Sequence, residues 1–374
     1  MRIHDVKVLP IGHNLEKPIR WGSFEISVKG SVLVRVSTGE GIIGWGEAGF
    51  SSDFYPMIKP IVDEILQPIL IGRDPFEIEK IWEDMYRATH KWGRRGMETY
   101  AISGVDIALW DIIGKACDKP VYKVLGGYQD RIKAYFAPSL KEASVISKEV
   151  EAAVEDGFKA IKLRVGLGMD EDLEIVRSAR QVAGDGVDLM VDANMAYDNK
   201  TALEMAKRFS DFDIRWLEEP ILVESPEQYT RELSKLTSSV GIYIAGGESL
   251  FTRYEFTEII ANHAVDIIQP DCTGVGGISE AKKIASMASA WNMPCVPHVA
   301  CSSLGIVNLA ANLHLNGSIS NSLFLSYDAY QSPIRKELVD EPIEAVDGHV
   351  TIPDKPGLGV EMDEQAVGKY CLLK

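Results

Sequence analysis

Six short apolar runs between residues 158 and 298 each end in side chains that could hold a metal or move a proton. The runs are FKAIKLR with Lys162 and Arg164, VDLMVDAN with Asp192 and Asn194, IRWLEEP with Glu218, IYIAGGES with Glu248, VDIIQPD with Asp271, and MPCVPH with His298. Three successive runs end in carboxylates, which repel one another strongly unless a cation lies among them. Ligand sets made only of oxygen favour Mg²⁺ over zinc or copper. We therefore expect Asp192, Glu218 and Glu248 to bind Mg²⁺; the alternative for any one of them is a helix cap or a solvated acid.

The other run-ending residues form a pair of cations and a pair that could exchange a proton. Lys162 and Arg164 are two positions apart, so both side chains project from the same face of a strand. Asp271 and His298 end neighbouring runs, and a carboxylate beside an imidazole fixes its tautomer and raises its basicity. A substrate carboxylate on the metal would place its α-carbon between the two pairs, where metal and cation stabilise the charge left by removal of the α-proton. The pattern predicts proton abstraction beside a carboxylate, and the alternative for His298 alone is an ordinary core histidine.

Short parallel strands are the elements best suited to position these residues. The runs are rich in Val and Ile, as strands buried on both faces are, and amphipathic stretches such as AKKIASMASAW separate them. Their end points lie roughly 20 to 30 residues apart, about the length of one strand–helix unit. This alternation predicts an α/β fold built as a parallel (β/α) barrel, whose catalytic groups lie at the carboxyl ends of the strands. The expected helices span 143–156, 171–183, 200–210, 226–237, 252–262, 278–290 and 303–315, and SNSLFLSYD supplies an eighth strand.

The first part of the chain has a different pattern and predicts a second unit. Residues 1–50 alternate as antiparallel strands around a turn at 38–41, and the stretches from 55 to 90 and up to Pro120 have a helical period. Between the first strands, NLEKPIRWGSFE is predicted to be a loop, and it carries Arg20 and Trp21. Because about 250 residues suffice for a barrel, the 374-residue chain has room for this unit.

Charge and composition narrow the class of protein further. A formal net charge of −16 disfavours nucleic acid and anionic membranes as partners, whereas a local metal can still attract a small anionic substrate. Five cysteines without a CxxC pair are typical of a reduced, intracellular chain. The sequence has no run of 18 apolar residues and no apolar segment typical of a signal peptide at its start. We expect a cytoplasmic protein whose partner is a small carboxylate.

Taken together, these motifs resemble the mandelate racemase and muconate lactonizing enzyme branch of the enolase superfamily. The resemblance rests on GWGEAG, SGVDIALWDIIGK, the Lys-x-Arg pair at 162–164, VDAN, WLEEP, GGES, QPD, the histidine at 298 and IPDKPGLGVE, in this order. It spans nearly the whole chain. Enolase-superfamily sites use a Lys or His base with Mg²⁺.

The resemblance implies a modified (β/α)8 TIM-type barrel at 128–328. Residues 1–127 and the returning segment 329–374 would form an α+β capping domain, and a symmetric homo-oligomer is expected. The implied roles are Mg²⁺ ligation by Asp192, Glu218 and Glu248, substrate-carboxylate contact by Lys162, and action on opposite faces of the α-carbon by residue 164 and by His298 with Asp271. The substrate-binding residues expected are Asn194, Arg20, Trp21 and Ser326.

Two departures from the family pattern bear on the reaction. Two-base racemases of this family usually carry Lys-x-Lys, but Arg164 is a guanidinium, which stays protonated and is a poor base. The eighth strand often ends in an acid, where this chain has Ser326. We therefore expect one-base chemistry by His298, with Arg164 binding a carboxylate or hydroxyl.

These expectations favour a Mg²⁺-dependent lyase that dehydrates an acid sugar, either an aldonate or an aldarate. The first alternative is an isomerase on the same enolate: a racemase, an epimerase or a sugar-lactone cycloisomerase. The second is a non-catalytic binding protein stabilised by metal on an old enzyme fold. Turnover of an acid-sugar panel separates the second alternative from the others.

Overall fold

Alternating apolar residues near the N-terminus form a three-stranded antiparallel sheet in the computed structural model, which describes residues 1–21, 24–328, 330 and 332–373. The side chains of Trp21 and Phe24 lie outside that description. The strands are β1 (Ile3–Trp21), β2 (Phe24–Thr38) and β3 (Ile43–Glu47). The predicted turn joins β2 to β3, and Gly41 there has a φ of 86°, a conformation that favours glycine.

Of the segment 14–25, predicted to be a loop, residues 14–21 and 24–25 instead extend the β1–β2 hairpin, and residues 22–23 lie outside the described residues. Pairing continues to Trp21 opposite Phe24, with a register irregularity between Asn14 and Ile19. Pro18 lies inside that irregularity, where a residue without an N–H does least harm to the ladder. The prediction was wrong because edge strands tolerate a proline that a central strand does not.

Helices cover this sheet and bring its third strand into close contact with their longest member. They are α1 (Tyr55–Pro60), α2 (Gln67–Leu70), α3 (Ile78–Thr89), α4 (Met97–Ala116) and α5 (Val121–Val124), with a π-helical segment at Ile61–Leu66 and 3₁₀ turns at Ser52–Phe54 and Pro75–Glu77. A Cβ atom on Gly46 would lie 1.8 Å from the Gly104 carbonyl oxygen, so β3 can approach α4 only with glycine there. The glycines of GWGEAG thus place Glu47 against the rest of the molecule.

The remainder of the chain alternates strands and helices, as the 20–30-residue spacing predicts. The elements are β4 (Arg131–Ala137), α6 (Ala143–Glu155), β5 (Ala160–Arg164), α7 (Met169–Ala183), β6 (Asp188–Asp192), α8 (Asn199–Ser210), β7 (Ile214–Glu218), α9 (Pro226–Ser239), β8 (Tyr243–Gly246), α10 (Thr252–Ala261), β9 (Ile267–Ile268), α11 (Gly277–Ala290), α12 (Val307–Ser318) and β10 (Leu325–Asp328). Strands β4 to β9 pair in chain order and in parallel, and β10 pairs in parallel with β4. The fold is therefore α/β with a sheet of parallel strands.

The run MPCVPH forms isolated bridges rather than a regular strand. Cys295 bridges Ile268 on one side and Ser322 on the other, both in parallel. Pro294 and Pro297 flank it and have no N–H to donate to a ladder. The following helix, α12, begins at Val307, four residues later than predicted, and the segment before it is anchored by a bond from the Leu304 N–H to Ser31 Oγ.

The C-terminal tail returns to both units. It contains α13 (Arg335–Leu338), β11 (Ala345–Val346), β12 (His349–Thr351) and α14 (Glu364–Lys369), and β12 pairs antiparallel with β4. The Leu358 N–H donates to Asp111 Oδ1 of α4, and the Gly12 N–H donates to the Tyr370 carbonyl. Within the part of the chain that the structure describes, no helix is both long and apolar enough to span a bilayer.

Candidate active site

Parallel register brings the first three run-ending positions side by side. Arg164 at the end of β5 pairs with Asp192 of β6, and Asp192 pairs with Glu218 of β7. Lys162 is one step below Arg164 on the same face of β5. Asp192 and Glu218 are fully buried, and Lys162 is 1% exposed, so their charges act without screening by water.

The two cations of β5 bind the carboxylates of the neighbouring strands. Lys162 Nζ donates to Asp192 Oδ2 over 2.9 Å and also to Glu218 Oε1. Arg164 Nη1 donates to Asp192 Oδ2 over 2.5 Å and to Asn194 Oδ1 over 2.7 Å. Burial disfavours both cations, but the adjacent carboxylates outweigh it and raise the pKa of Lys162 and of Arg164 above their ordinary values. Both side chains are therefore fixed positive charges.

The carboxylates respond to this environment in opposite directions. Burial alone would raise the pKa of Asp192, but the charges of Arg164 and Lys162 outweigh it and lower that pKa. Glu218 is paired with one cation, Lys162, which does not fully offset its burial, and burial raises the pKa of Glu218 to about 6. Its second oxygen, Oε2, accepts from Trp216 Nε1 over 3.0 Å and from Gln269 Nε2 over 2.8 Å.

The third acid of the predicted metal set, Glu248, supplies a test of whether the residues fit a cation. Its Oε2 atom is buried and has no hydrogen-bond partner among the described residues, although His298 Nε2 lies 3.2 Å away. The described side chains include no ready-made group of three His, Cys, Asp or Glu ligands, and the Lys162 ammonium bridges the other two acids. The donor chemistry, three oxygen-only side chains with an unsatisfied oxygen, still fits a hard divalent cation.

A further buried acid, Glu219, accompanies this cluster; the sequence places it at the end of IRWLEEP, but no role was predicted for it. It has a φ of 36°, lines the cavity described below and accepts a bond from Ser249 Oγ over 3.0 Å. Burial, then repulsion by Glu248 and Asp192, raises the pKa of Glu219 well above its ordinary value. The second Glu of WLEEP was the available signal.

The predicted imidazole–carboxylate pair lies on the other side of the carboxylates. His298 Nδ1 is 2.9 Å from Asp271 Oδ2, which leaves Nε2 directed to the cluster side near Glu248. Burial lowers the pKa of His298, but Glu248 and Asp271 outweigh it and the net shift is upward. The Phe50 ring from the N-terminal unit packs edge-on against the imidazole at 5.8 Å between centroids. His298 is thus oriented on two sides.

Asp271 is held by donors that sequence reasoning missed. Its Oδ1 atom accepts from Thr273 N and Oγ1, both over 2.8 Å, from Asn308 Nδ2 over 3.0 Å and from Asn312 Nδ2 over 3.2 Å. Asn308 and Asn312 are buried in α12, and polar residues spaced four apart in an apolar helix were the signal. The Asn308 N–H donates in turn to Glu47 Oε2 over 2.9 Å, and burial raises the pKa of Glu47 to about 7.

A cavity of about 300 Å³ opens above these groups. One side, the strand-end wall, includes Arg164, Asn194, Met195, Glu219, Glu248, Ser249, His298, Ala300, Cys301 and Ser302. The other side, the N-terminal wall, consists of Glu25, Ile26, Phe50, Ser51 and Phe54. His298 of the predicted acid–base pair and Glu248 of the predicted metal set therefore face the same cavity.

The remaining predicted substrate-binding residues are distributed unequally. Asn194 lines the cavity, whereas Arg20 lies beside it, 72% exposed and paired with Glu25. Ser326 is buried next to Tyr135 and does not line the cavity, and the side chain of Trp21 lies outside the described residues. Two positions beyond Ser326, on the same face of β10, Asp328 is paired with Lys29 of β2.

Comparison with known proteins shows the same combination of units. Residues 3–126 match the family model "Mandelate racemase / muconate lactonizing enzyme, N-terminal domain", and residues 145–366 match "Enolase C-terminal domain-like". An arabinonate dehydratase of Saccharolobus solfataricus is 37% identical over 91% of this chain and 90% of its own length. A D-galactarolactone cycloisomerase of Agrobacterium fabrum is 34% identical over 99% of each chain.

Solved structures give the same result. A racemase from Streptomyces coelicolor A3(2), solved with bound magnesium, superposes with a TM-score of 0.88 at 29% identity and covers 99% of this chain and 100% of its own. The family models together cover most of the sequence, and the relatives align over nearly all of it. The chain belongs to the mandelate racemase and muconate lactonizing enzyme family of the enolase superfamily.

Proposed function

We propose that this chain is a Mg²⁺-dependent acid-sugar dehydratase that converts an aldonate or aldarate to a 2-keto-3-deoxy acid. The observation that carries the proposal is the single imidazole base, His298, facing two permanently charged cations, Lys162 and Arg164, across a cluster of carboxylates. The names of the relatives, an arabinonate dehydratase among them, support an acid sugar as substrate.

Asp192, Glu218 and Glu248 would hold Mg²⁺. When bound, the ion would supply Lewis-acid stabilisation of the negative charge that develops on the substrate carboxylate. Lys162 lies beside two of these acids and would bind the same carboxylate from the β5 side. Arg164, fixed by Asp192 and Asn194, would orient the substrate through its remaining N–H donors.

His298 would carry out both proton transfers. Its Nε2 atom takes the C2 proton of the acid, while Asp271 keeps Nδ1 in the protonated tautomer. The resulting imidazolium returns that proton to the 3-hydroxyl, the C3–O bond breaks, and water leaves. The enol product then tautomerises to the 2-keto-3-deoxy acid. No second base is needed, which agrees with a guanidinium at position 164.

We also propose the architecture that the family resemblance implies. The ring of pairings from β4 to β9, continued through Cys295 and Ser322 and returning by β10 to β4, supports a closed barrel over 128–328. Contacts such as Phe50 with His298 support residues 1–127, with 329–374, as its capping domain. We propose a homo-oligomer on the family resemblance, which light scattering would test.

The alternative function is an isomerase on the same enolate, and the similarity to a cycloisomerase over the full chain favours it specifically. Incubation of the Mg²⁺-loaded enzyme with a panel of acid sugars and lactones in D₂O separates the two. Dehydration yields a 2-keto-3-deoxy acid that semicarbazide detects. Exchange or inversion at C2, or ring rearrangement without loss of water, would support the isomerase instead.

A further inference from the structure

We propose that the cavity selects sugar monoacids over diacids, and that Glu25 of the N-terminal wall sets this preference. The inference rests on the proposed function, whose substrate class it narrows from acid sugars in general to aldonates. It follows from where the cavity places its positive and negative charges.

All of the permanent positive charge at the described part of the cavity lies at one end. Arg164 is the one Lys or Arg among the lining residues described, and Lys162 lies directly beneath it. Both are held at the strand ends beside the proposed metal ligands. A substrate therefore gains most by directing its C1 carboxylate to this end and its distal carbons to the N-terminal wall.

The N-terminal wall offers a distal carboxylate no cation. Its members are one acid, Glu25, together with Ile26, Phe50, Ser51 and Phe54. The four internal positions that the structure does not describe are a Gly, a Ser, an Ala and a Gln, and none of these residue types carries a charge. Ser51 and the Glu25 carboxylate can bond sugar hydroxyls, which suits a neutral polyol end.

Arg20 does not reverse this argument, although it pairs with Glu25. Glu25 is 40% exposed and lines the cavity, whereas Arg20 is 72% exposed and is not among the lining residues. A second substrate carboxylate would thus meet the acid before the cation. We expect a like charge facing the distal carboxylate, partly screened by water, to lower kcat/KM for the diacid about tenfold or more.

The test compares each hexonate with the hexarate of the same configuration, using the Mg²⁺-loaded enzyme. We expect kcat/KM for the monoacid to exceed that for the diacid at least about tenfold, with the gap narrowing as salt rises. Equal or better turnover of the diacid would overturn the inference while leaving the proposed function intact. If neither class turns over, the proposed function fails, and affinities of the same pairs measured by calorimetry still decide the monoacid preference.

Variants of the ion pair assign the preference to Glu25. Glu25→Gln keeps the hydrogen-bonding shape, removes the negative charge and releases Arg20, so the ratio of diacid to monoacid kcat/KM should rise about tenfold. Arg20→Gln alone should give no rise in diacid kcat/KM. The double variant should show a smaller rise than Glu25→Gln, because Arg20 is no longer present to attract the distal carboxylate. A Glu25→Gln variant with unchanged monoacid-to-diacid ratio would overturn the role of Glu25.

Discussion

At the scale of single residues, the site is organised by two buried cations that the neighbouring carboxylates hold in their charged forms. Lys162 and Arg164 both donate to Asp192, and the buried carboxylates raise the pKa of each cation above its ordinary value. We propose that proton transfer falls to His298 and that the β5 pair supplies charge and orientation. This division distinguishes the chain from a two-base racemase with Lys-x-Lys on the same strand.

Replacing Arg164 with Lys tests that division. The planar guanidinium of Arg164 donates to Asp192 and Asn194 and keeps N–H groups for a substrate, whereas the ammonium of a lysine is a point charge without this geometry. We therefore expect KM to rise about tenfold and kcat to fall less. Steady-state kinetics on the best substrate measure the split. If the variant instead gains C2-proton exchange on the opposite face, position 164 is a potential base, and the binding role is incorrect.

At the scale of elements, helix α12 contacts both Asp271 of the site and the backbone of Tyr122 in the N-terminal unit. Asn308 and Asn312 hold Asp271, while His314 accepts a bond on Nδ1 from the Tyr122 N–H over 3.1 Å. The Nε2 atom of His314 is buried without a partner among the described residues. Burial lowers the pKa of His314 to about 4 from its ordinary 6.5, so the helix is stable with this histidine neutral.

The second prediction is a pH dependence that belongs to His314. As pH falls through 6.5 the unfolded chain takes up a proton, but folded His314 stays neutral until about pH 4. The free energy of unfolding therefore keeps the full contribution of neutral His314 above pH 6.5. It falls by roughly 3 kcal/mol as pH drops from 6.5 to about 4. Urea unfolding across this range should show a shallower acid loss for His314→Gln than for wild type. His263→Gln, at an exposed position, is the matched control, and equal slopes in all three proteins would contradict the assignment.

Sequence periodicity predicted most of the parallel elements and the residues at their ends. Strands β5 to β8 and their helices are regular, and short apolar runs that end at or near a charged side chain mark their bounds well. It missed the long β1–β2 hairpin, because Pro18 and charged residues imitate a loop there. It also missed Gln269 and Thr273, because a side chain that bonds another buried side chain leaves no periodic signal. Asn308 was missed although its spacing of four from Asn312 in an apolar helix was a signal.

At the scale of the whole molecule, both units contribute to one site. The N-terminal unit provides one wall of the cavity and places Glu47 behind Asp271 through Asn308. The cavity is lined by residues of both units. The proposed metal ligands lie at the ends of three neighbouring strands. Lys162 and Arg164 offset the charge of Asp192 and Glu218, whereas Glu248 Oε2 has no hydrogen-bond partner among the described residues, so a bound cation would add to the stability of the sheet.

Metal binding should therefore be visible as stability. We expect Mg²⁺ at about 100 times its Kd to stabilise the protein by about 2.7 kcal/mol, and EDTA to reverse this. Thermal melts of Glu248→Gln should lose most of the Mg²⁺-dependent shift, because the variant removes one charged ligand at nearly constant volume. The exposed Glu224→Gln should retain it. A full shift in Glu248→Gln would show that the cation binds elsewhere.

The central claim is that one base, His298, removes the proton beside the carboxylate. The decisive measurement is C2-proton exchange in D₂O by His298→Asn, followed by NMR for both C2 stereoisomers of the best substrate. Asparagine keeps a polar side chain but cannot take a proton, so the account predicts exchange reduced by about 10² to 10⁴ for both stereoisomers, with substrate still bound. Exchange that survives at a near-normal rate for one stereoisomer would reveal a second base on the β5 side and would contradict the account.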